Sequence, residues 1–70
     1  MIGKLKEALS PYGEVSHQQN GQSFRVTVKP RAGRRADAGD AISKLFHVYG
    51  QDCTIDGNRD TIFVTWEERL

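Results

Sequence analysis

Two segments of the chain carry the same succession of apolar and polar positions. Residues 5–28 show apolar residues at helical spacing, then a polar alternating stretch, a turn and an apolar alternating stretch, and residues 42–66 show the same order. A spacing near 3.6 residues predicts an amphipathic helix, and strict alternation predicts a strand with one buried face. The pattern therefore predicts a tandem repeat of two helix–strand–strand units, about 2–29 and 37–66, within a single domain of residues 1–70.

The first unit is predicted to be a helix followed by a hairpin. The apolar positions of residues 2–9 fall on one helical face. Residues 14–19 alternate but are mostly polar, which is typical of a strand at the edge of a sheet. Asn20-Gly21 is a strong turn signal, because both residues tolerate positive φ. The next strand, residues 23–29, is β-branched and aromatic on one side, which predicts a place at the sheet centre.

The second unit follows a loop of residues 30–36. Asp37 is predicted to cap the N-terminus of its helix, and Gly50 to end that helix. Residues 52–56 and 61–66 are predicted to form an edge strand and a central strand. The apolar stripe of the helix is broad, with Phe46 at its margin, and consists of Ala38, Ala41, Ile42, Leu45, Val48 and Tyr49.

The order of elements predicts an α+β fold, with a four-stranded antiparallel sheet and both helices on one face. In each hairpin the second strand is the more apolar one, so the two second strands are expected to be central neighbours. This arrangement resembles the ferredoxin-like sandwich with its first strand moved to the end, and a resemblance of fold implies no function. The predicted core consists of Phe24, Val26, Val28, Ile62, Val64 and Trp66 packed under Leu5, Leu9, Ile42 and Leu45.

Composition indicates the cellular compartment in which the protein is expected. Cys53 is the only cysteine, so no disulfide forms within the chain, and a lone cysteine favours a reducing cytoplasm. No stretch approaches the ~20 apolar residues of a membrane span, and the charged first ten residues do not resemble a signal peptide. We therefore expect a cytoplasmic protein without a membrane partner.

Positive charge is concentrated in one loop. The net charge is +1, but Lys29, Arg31, Arg34 and Arg35 place four of the ten basic residues within seven positions. The rest of the chain, with six basic and nine acidic residues, is mildly acidic. Contacts from lysine and arginine to phosphates supply most non-specific affinity for nucleic acid. We predict that this basic loop docks on DNA or RNA, with an acidic protein surface or a purely solvated connection as the alternatives.

The uncovered face of the predicted sheet is the second candidate surface. It carries Arg25, Thr27, Phe63 and Thr65. Arginine and aromatic side chains stack on bases in RNA-binding sheets, which usually show two or three aromatics. A single aromatic favours a protein contact over base stacking. A homodimer, through this face or through an edge strand, is a further partner that we consider.

The ionisable residues do not predict catalysis or a metal site. Cys53 alternates with core-facing positions, whereas His17 lies on the opposite edge strand and His47 lies on the outer side of the second helix. Their separation argues against a Cys-His nucleophile and against a zinc site. We therefore expect no enzymatic activity, no metal and no cofactor.

A small non-enzymatic binding module is the function that these patterns predict, docking on nucleic acid or a nucleoprotein complex. The alternative is a compact protein-binding regulator or inhibitor, such as a phage or mobile-element protein of the anti-CRISPR kind. The residues expected to bind the partner are Lys29, Arg31, Arg34, Arg35, Arg25 and Phe63.

Overall fold

The computed structural model describes residues 1–68, and its elements follow the predicted order. A short 3-10 turn, Ser10–Tyr12, joins the first helix to the sheet. The elements are α1 (Ile2–Leu9), β1 (Gly13–Asn20), β2 (Ser23–Pro30), α2 (Arg35–Tyr49), β3 (Thr54–Gly57) and β4 (Ile62–Glu67). Two helices and four strands in this order confirm the α+β class.

The four strands form one antiparallel sheet with the order β1-β2-β4-β3. The two apolar strands are central neighbours, as predicted, and Val26 lies directly opposite Val64. The polar strands β1 and β3 occupy the edges, where fewer neighbours reward burial. Duplication of the unit and the resemblance to the ferredoxin-like sandwich stay interpretations of the sequence.

Both helices pack on the same face of the sheet. Every second residue of the central strands is buried, and these side chains form one cluster with buried residues from each helix. The core consists of Leu5, Leu9, Phe24, Val26, Val28, Ala38, Ile42, Phe46, Ile62, Val64 and Trp66. The strand residues and most helix residues of the predicted core are confirmed, while Leu45 is only partly buried against it.

The buried face of α2 differs from the predicted stripe. Its buried residues are Ala38, Ile42 and Phe46, which form a row at spacing four along the helix. Phe46 is 4% exposed and packs edge-on against Trp66, with ring centroids 5.3 Å apart. Val48 is 74% exposed, so its predicted place in the apolar stripe that faces the sheet is wrong. Two apolar rows overlap along α2, and contact with the aromatic Trp66 on β4 selects the row that contains Phe46.

Tyr49 is also outside the core, with 50% of its surface exposed. Its ring lies under the Lys4 ammonium, 5.6 Å from the centroid, so it joins the two helices at the surface and not in the interior. The helix ends at Gly50 in the left-handed conformation, as predicted.

The start of α2 also differs from the prediction. The helix begins at Arg35, with Arg34 at the N-cap and no side-chain capping bond. Asp37 therefore lies inside the first turn, where its carboxylate still interacts favourably with the positive end of the helix. Because Pro30 belongs to β2, only residues 31–34 connect the strand to the helix, and the loop is shorter than predicted.

The first hairpin turns one residue later than predicted. Asn20 is the last residue of β1 and pairs with Ser23, so Gly21 and Gln22 form the turn. Gly21 has φ +62° at the first central position, the geometry that a type II′ turn reserves for glycine.

The second hairpin is shorter than the first. Strand β3 has four residues, and Cys53, expected in the strand and in the core, precedes it and is only partly buried. Ile55 lies opposite Val64 on the helix side, but at the edge of the sheet it stays 46% exposed. Glu67, expected in a solvated tail, is the last residue of β4, and the predicted tail beyond Glu68 lies outside the described residues.

Neither helix found between residues 1 and 68 is long and apolar enough to cross a membrane.

Candidate nucleic-acid interface

The connection from β2 to α2 is fixed at both ends by backbone hydrogen bonds. The Arg31 N–H donates to the Tyr12 carbonyl oxygen at 2.7 Å, which continues the β1–β2 ladder beyond the sheet. The Arg34 N–H donates to the Arg31 carbonyl oxygen at 2.9 Å and closes the turn before the helix. The loop backbone is therefore held in place, and its basic side chains project from a defined position.

A shallow depression of about 360 Å³ lies beside this connection, and we call it the basic depression. Its floor is formed by the loop, the end of β2 and the turn between β3 and β4. It is lined by Lys29, Pro30, Arg31, Ala32, Gly33, Arg35, Arg59 and Asp60. Four cations and one carboxylate thus surround a single concavity.

Arg59 is the member of this group that the sequence analysis missed. It comes from the β3–β4 turn, 24 residues after Arg35. Strands β2 and β4 are antiparallel, and Val28 near the end of β2 pairs with Ile62 at the start of β4. The turn before β4 must therefore lie beside the loop that follows β2. The predicted antiparallel pairing of the two central strands already implies this, because it places residues 56–60 next to the basic loop.

Arg35 holds the two parts of the depression together. Its Nη1 donates to the Arg59 carbonyl oxygen at 3.3 Å and to the Thr61 carbonyl oxygen at 3.4 Å. These acceptors are neutral, so the guanidinium keeps its full charge while it anchors the turn to the first turn of α2. Arg35 therefore positions Arg59 and adds its own charge to the surface.

Arg34 faces a different partner from its neighbours. Its Nη1 donates to Asp37 Oδ2 at 3.1 Å, and both side chains are largely exposed. The pair neutralises one of the four predicted cations, and Arg34 does not line the basic depression. The structure thus brings together Lys29, Arg31 and Arg35 and leaves Arg34 outside the group.

Within residues 1–68 the cations of the depression form no salt bridge, although Asp60 lies among the lining residues. Across residues 1–68 the Arg34–Asp37 pair is the only salt bridge, so Lys29, Arg31 and Arg59 have no described carboxylate oxygen within 4.0 Å. The N-terminus of α2 adds partial positive charge at the same end of the molecule. Several positive charges without a salt bridge therefore lie at one site, with Asp60 beside them and Glu14 opposite Lys29 on the neighbouring strand.

Arg25 and Phe63 lie on the open face of the sheet, away from the basic depression. The Arg25 guanidinium carbon is 4.4 Å from the Phe63 ring centroid, a cation–π contact between diagonal neighbours on β2 and β4. The ring is partly buried, and one of its faces is already covered by the arginine. Phe63 therefore offers little free surface for stacking a base.

The open face itself carries charges of both signs. Register places Glu14 opposite Lys29 and Asp56 opposite Phe63. Glu67 lines a wide, shallow depression of about 740 Å³ on this side together with Arg25 and polar residues of all four strands. This mixture differs from the basic depression, where a single carboxylate accompanies four cations.

The remaining nucleophilic and metal-binding side chains are dispersed. Burial, and secondarily the negative charge of Asp52, raises the pKa of the Cys53 thiol above its ordinary value. His17 is on β1 at the opposite edge of the sheet, and His47 is exposed on α2. Within the part of the chain that is described, no three His, Cys, Asp or Glu residues converge in a way that would hold a metal ion.

A scan against protein-family models and a search of curated proteins both found no match to this chain.

Proposed function

We propose that this protein is a small binding module that docks on nucleic acid through the basic depression. The observation that carries the proposal is the convergence of Lys29, Arg31, Arg35 and Arg59 on one concavity from two separate loops. Phosphate oxygens are the acceptors that such a group of ammonium and guanidinium donors fits best.

The charges of this site are free to bind an external anion. Lys29, Arg31 and Arg59 have no salt-bridge partner among residues 1–68, and Arg35 bonds only to neutral carbonyl oxygens. A phosphate therefore does not have to displace an internal carboxylate before it binds. Arg34 differs, because a phosphate would have to compete with Asp37 for it.

The proposed recognition is independent of sequence. Among the residues that the structure describes, the lining of the basic depression contains charged donors and no aromatic residue. The aromatic ring of Phe63 lies on another surface, under Arg25. Contacts to phosphates position a protein without reading bases. We therefore expect similar affinity for unrelated sequences and a strong dependence on salt.

The salt dependence can be estimated from the number of cations. Four phosphate contacts predict a slope of log K against log[salt] of about −3.6 on duplex DNA. A rise from 50 to 200 mM salt then weakens binding roughly a hundredfold. Fluorescence anisotropy with labelled duplex DNA, single-stranded DNA and RNA at several salt concentrations measures this slope.

Two variants within the basic depression and one control variant outside it test the location of the site. Lys29→Ala removes a cation of the depression, and Lys44→Ala removes an exposed cation of α2 that does not line it. We expect Lys29→Ala and Arg59→Ala each to reduce the slope by about one, whereas Lys44→Ala leaves it unchanged. If wild type and all three variants bind equally, or if no nucleic acid binds at low salt, the proposal is wrong.

The mixed charge of the open face supports the second candidate, a protein-binding regulator or inhibitor. Arg25 and Lys29 share that face with Glu14, Asp56 and Glu67. Alternating signs of this kind complement a protein surface better than a row of phosphates. Retention of one host protein on immobilised wild type, and its loss with Arg25→Glu, would favour this function over nucleic-acid binding.

A further inference from the structure

The two edge strands of the sheet are very different in length and protection. Strand β1 has eight residues and pairs with β2 without interruption, whereas β3 has only four. A short strand that carries a charged side chain, as β3 carries Asp56, is a common way of blocking an edge. Strand β1 has neither device between residues 15 and 20, where no lysine, proline, acidic residue or bulge interrupts it.

The hydrogen-bond pattern identifies which backbone groups of β1 face outward. The bond from the Arg31 N–H to the Tyr12 oxygen, together with the register, makes the even-numbered residues of β1 the ones bonded to β2. The N–H and C=O groups of Val15, His17 and Gln19 therefore point away from the sheet. On the other edge, the Asn58 N–H donates to the Thr61 carbonyl oxygen, so the even-numbered residues of β3 bond to β4. The outward-facing residues of this much shorter strand are therefore Ile55 and Gly57.

We propose that β1 pairs antiparallel with β1 of a second copy, about a two-fold axis that passes through His17. Centred there, every outward-facing residue meets another outward-facing residue, Val15 opposite Gln19 of the second copy and His17 opposite His17. About six backbone hydrogen bonds then form between the copies. The pairing gives one eight-stranded sheet with all four helices on the same side.

The composition of β1 fits a second copy of the chain. Self-pairing about His17 places Ser16 opposite Gln18 and Glu14 opposite Asn20, so no two like charges meet along the strand. A register displaced by one residue would place an outward-facing residue of one copy opposite a residue of the other copy whose backbone already bonds to β2. It would also place the helices of the two copies on opposite sides of the sheet. The hydrogen-bond pattern and the facing of the side chains thus both exclude registers displaced by an odd number of residues, and the pairing centred on His17 is an even register that meets both conditions.

A charge exchange at the axis tests this pairing directly. His17→Lys and His17→Glu each place two like charges opposite each other, and we expect each to weaken self-association about two- to fivefold in sedimentation equilibrium. An equimolar mixture of the two variants restores association, because lysine then faces glutamate. Ile55→Lys is the matched control at the other edge and leaves association unchanged.

Hydrogen exchange gives a second measurement that does not depend on a substitution. As wild-type concentration rises, the amides of Val15, His17 and Gln19 become protected while the amide of Ile55 does not. A wild type that stays monomeric at millimolar concentration, a mixture that associates no better than either variant, or Ile55→Lys weakening association as much as His17→Lys would each overturn the proposal. These measurements contain no nucleic acid, so their outcome is independent of the function proposed above.

Discussion

Truncating Phe46 is expected to remove most of the stability of this protein. The Phe46 ring is 4% exposed and packs in a T-shaped arrangement with Trp66, which also stacks on Phe24 with centroids 5.5 Å apart. The Trp66 Nε1 group is buried and has no hydrogen-bond partner among the described residues. An unpaired buried N–H costs about 1–3 kcal/mol, and the contacts of the indole with Phe24 and Phe46 act in the opposite direction.

The expected loss of stability follows from the free energy of unfolding of a chain of this length and from the cost of removing the Phe46 ring. At about 0.05–0.15 kcal/mol per residue, 70 residues give a free energy of unfolding of roughly 3.5–10 kcal/mol. Phe→Ala in a core costs about 3–5 kcal/mol, which is more than half of the free energy of unfolding when the middle of each range is taken. Phe46→Leu keeps most of the volume and loses the edge-on contact, for a cost of about 1–2 kcal/mol. Its melting temperature should fall by about 4–8 °C per kcal/mol.

The assay is urea unfolding followed by the fluorescence of Trp66, the only tryptophan. Val48→Ala is the control on the same helix, since Val48 is 74% exposed. It should change the free energy of unfolding by less than about 0.5 kcal/mol. A cost for Val48→Ala equal to that of Phe46→Leu would refute the assignment of the buried face of α2.

Two further predictions concern backbone contact and thiol chemistry. A Cβ on Gly13 would overlap the Lys29 carbonyl oxygen of the paired strand, so Gly13→Ala should lower the urea midpoint, whereas Gly3→Ala, where a Cβ meets nothing, should not. Because burial raises the pKa of Cys53, the folded protein holds less thiolate than the unfolded chain at pH 8. Its reaction with an aromatic disulfide should therefore be slower than in urea and should keep accelerating with pH beyond the ordinary thiol range. Equal rates in the folded and unfolded protein would show that Cys53 is not shielded.

The fold was largely predictable because its signals are local. Alternation along β2 and β4 placed the same side chains under the helices that the structure buries there. The polar β1 and the short β3 were recognisable as edges from their composition. The turn at Gly21 is displaced by one residue and the N-cap of α2 by three residues from the predicted positions, because neighbouring residues offered competing signals.

The candidate interface was predictable only in part. The basic loop is evident in the sequence, but the separation of Arg34 from its neighbours depends on a single contact with Asp37. Arg59 joins the group through strand pairing, although it lies far away along the chain. Phe63 was identified as an aromatic on the open face, but only its geometry shows that Arg25 covers it.

Periodicity and composition act over a few residues, and they were sufficient to predict the type and order of the helices and strands and which strands lie at the centre of the sheet. Tertiary structure decided which apolar row of α2 is buried, because rotation of a helix about its axis is fixed by the partner it meets, here Trp66. It also decided which cations share a surface, because side chains from distant loops meet only once the antiparallel register of β2 and β4 is set.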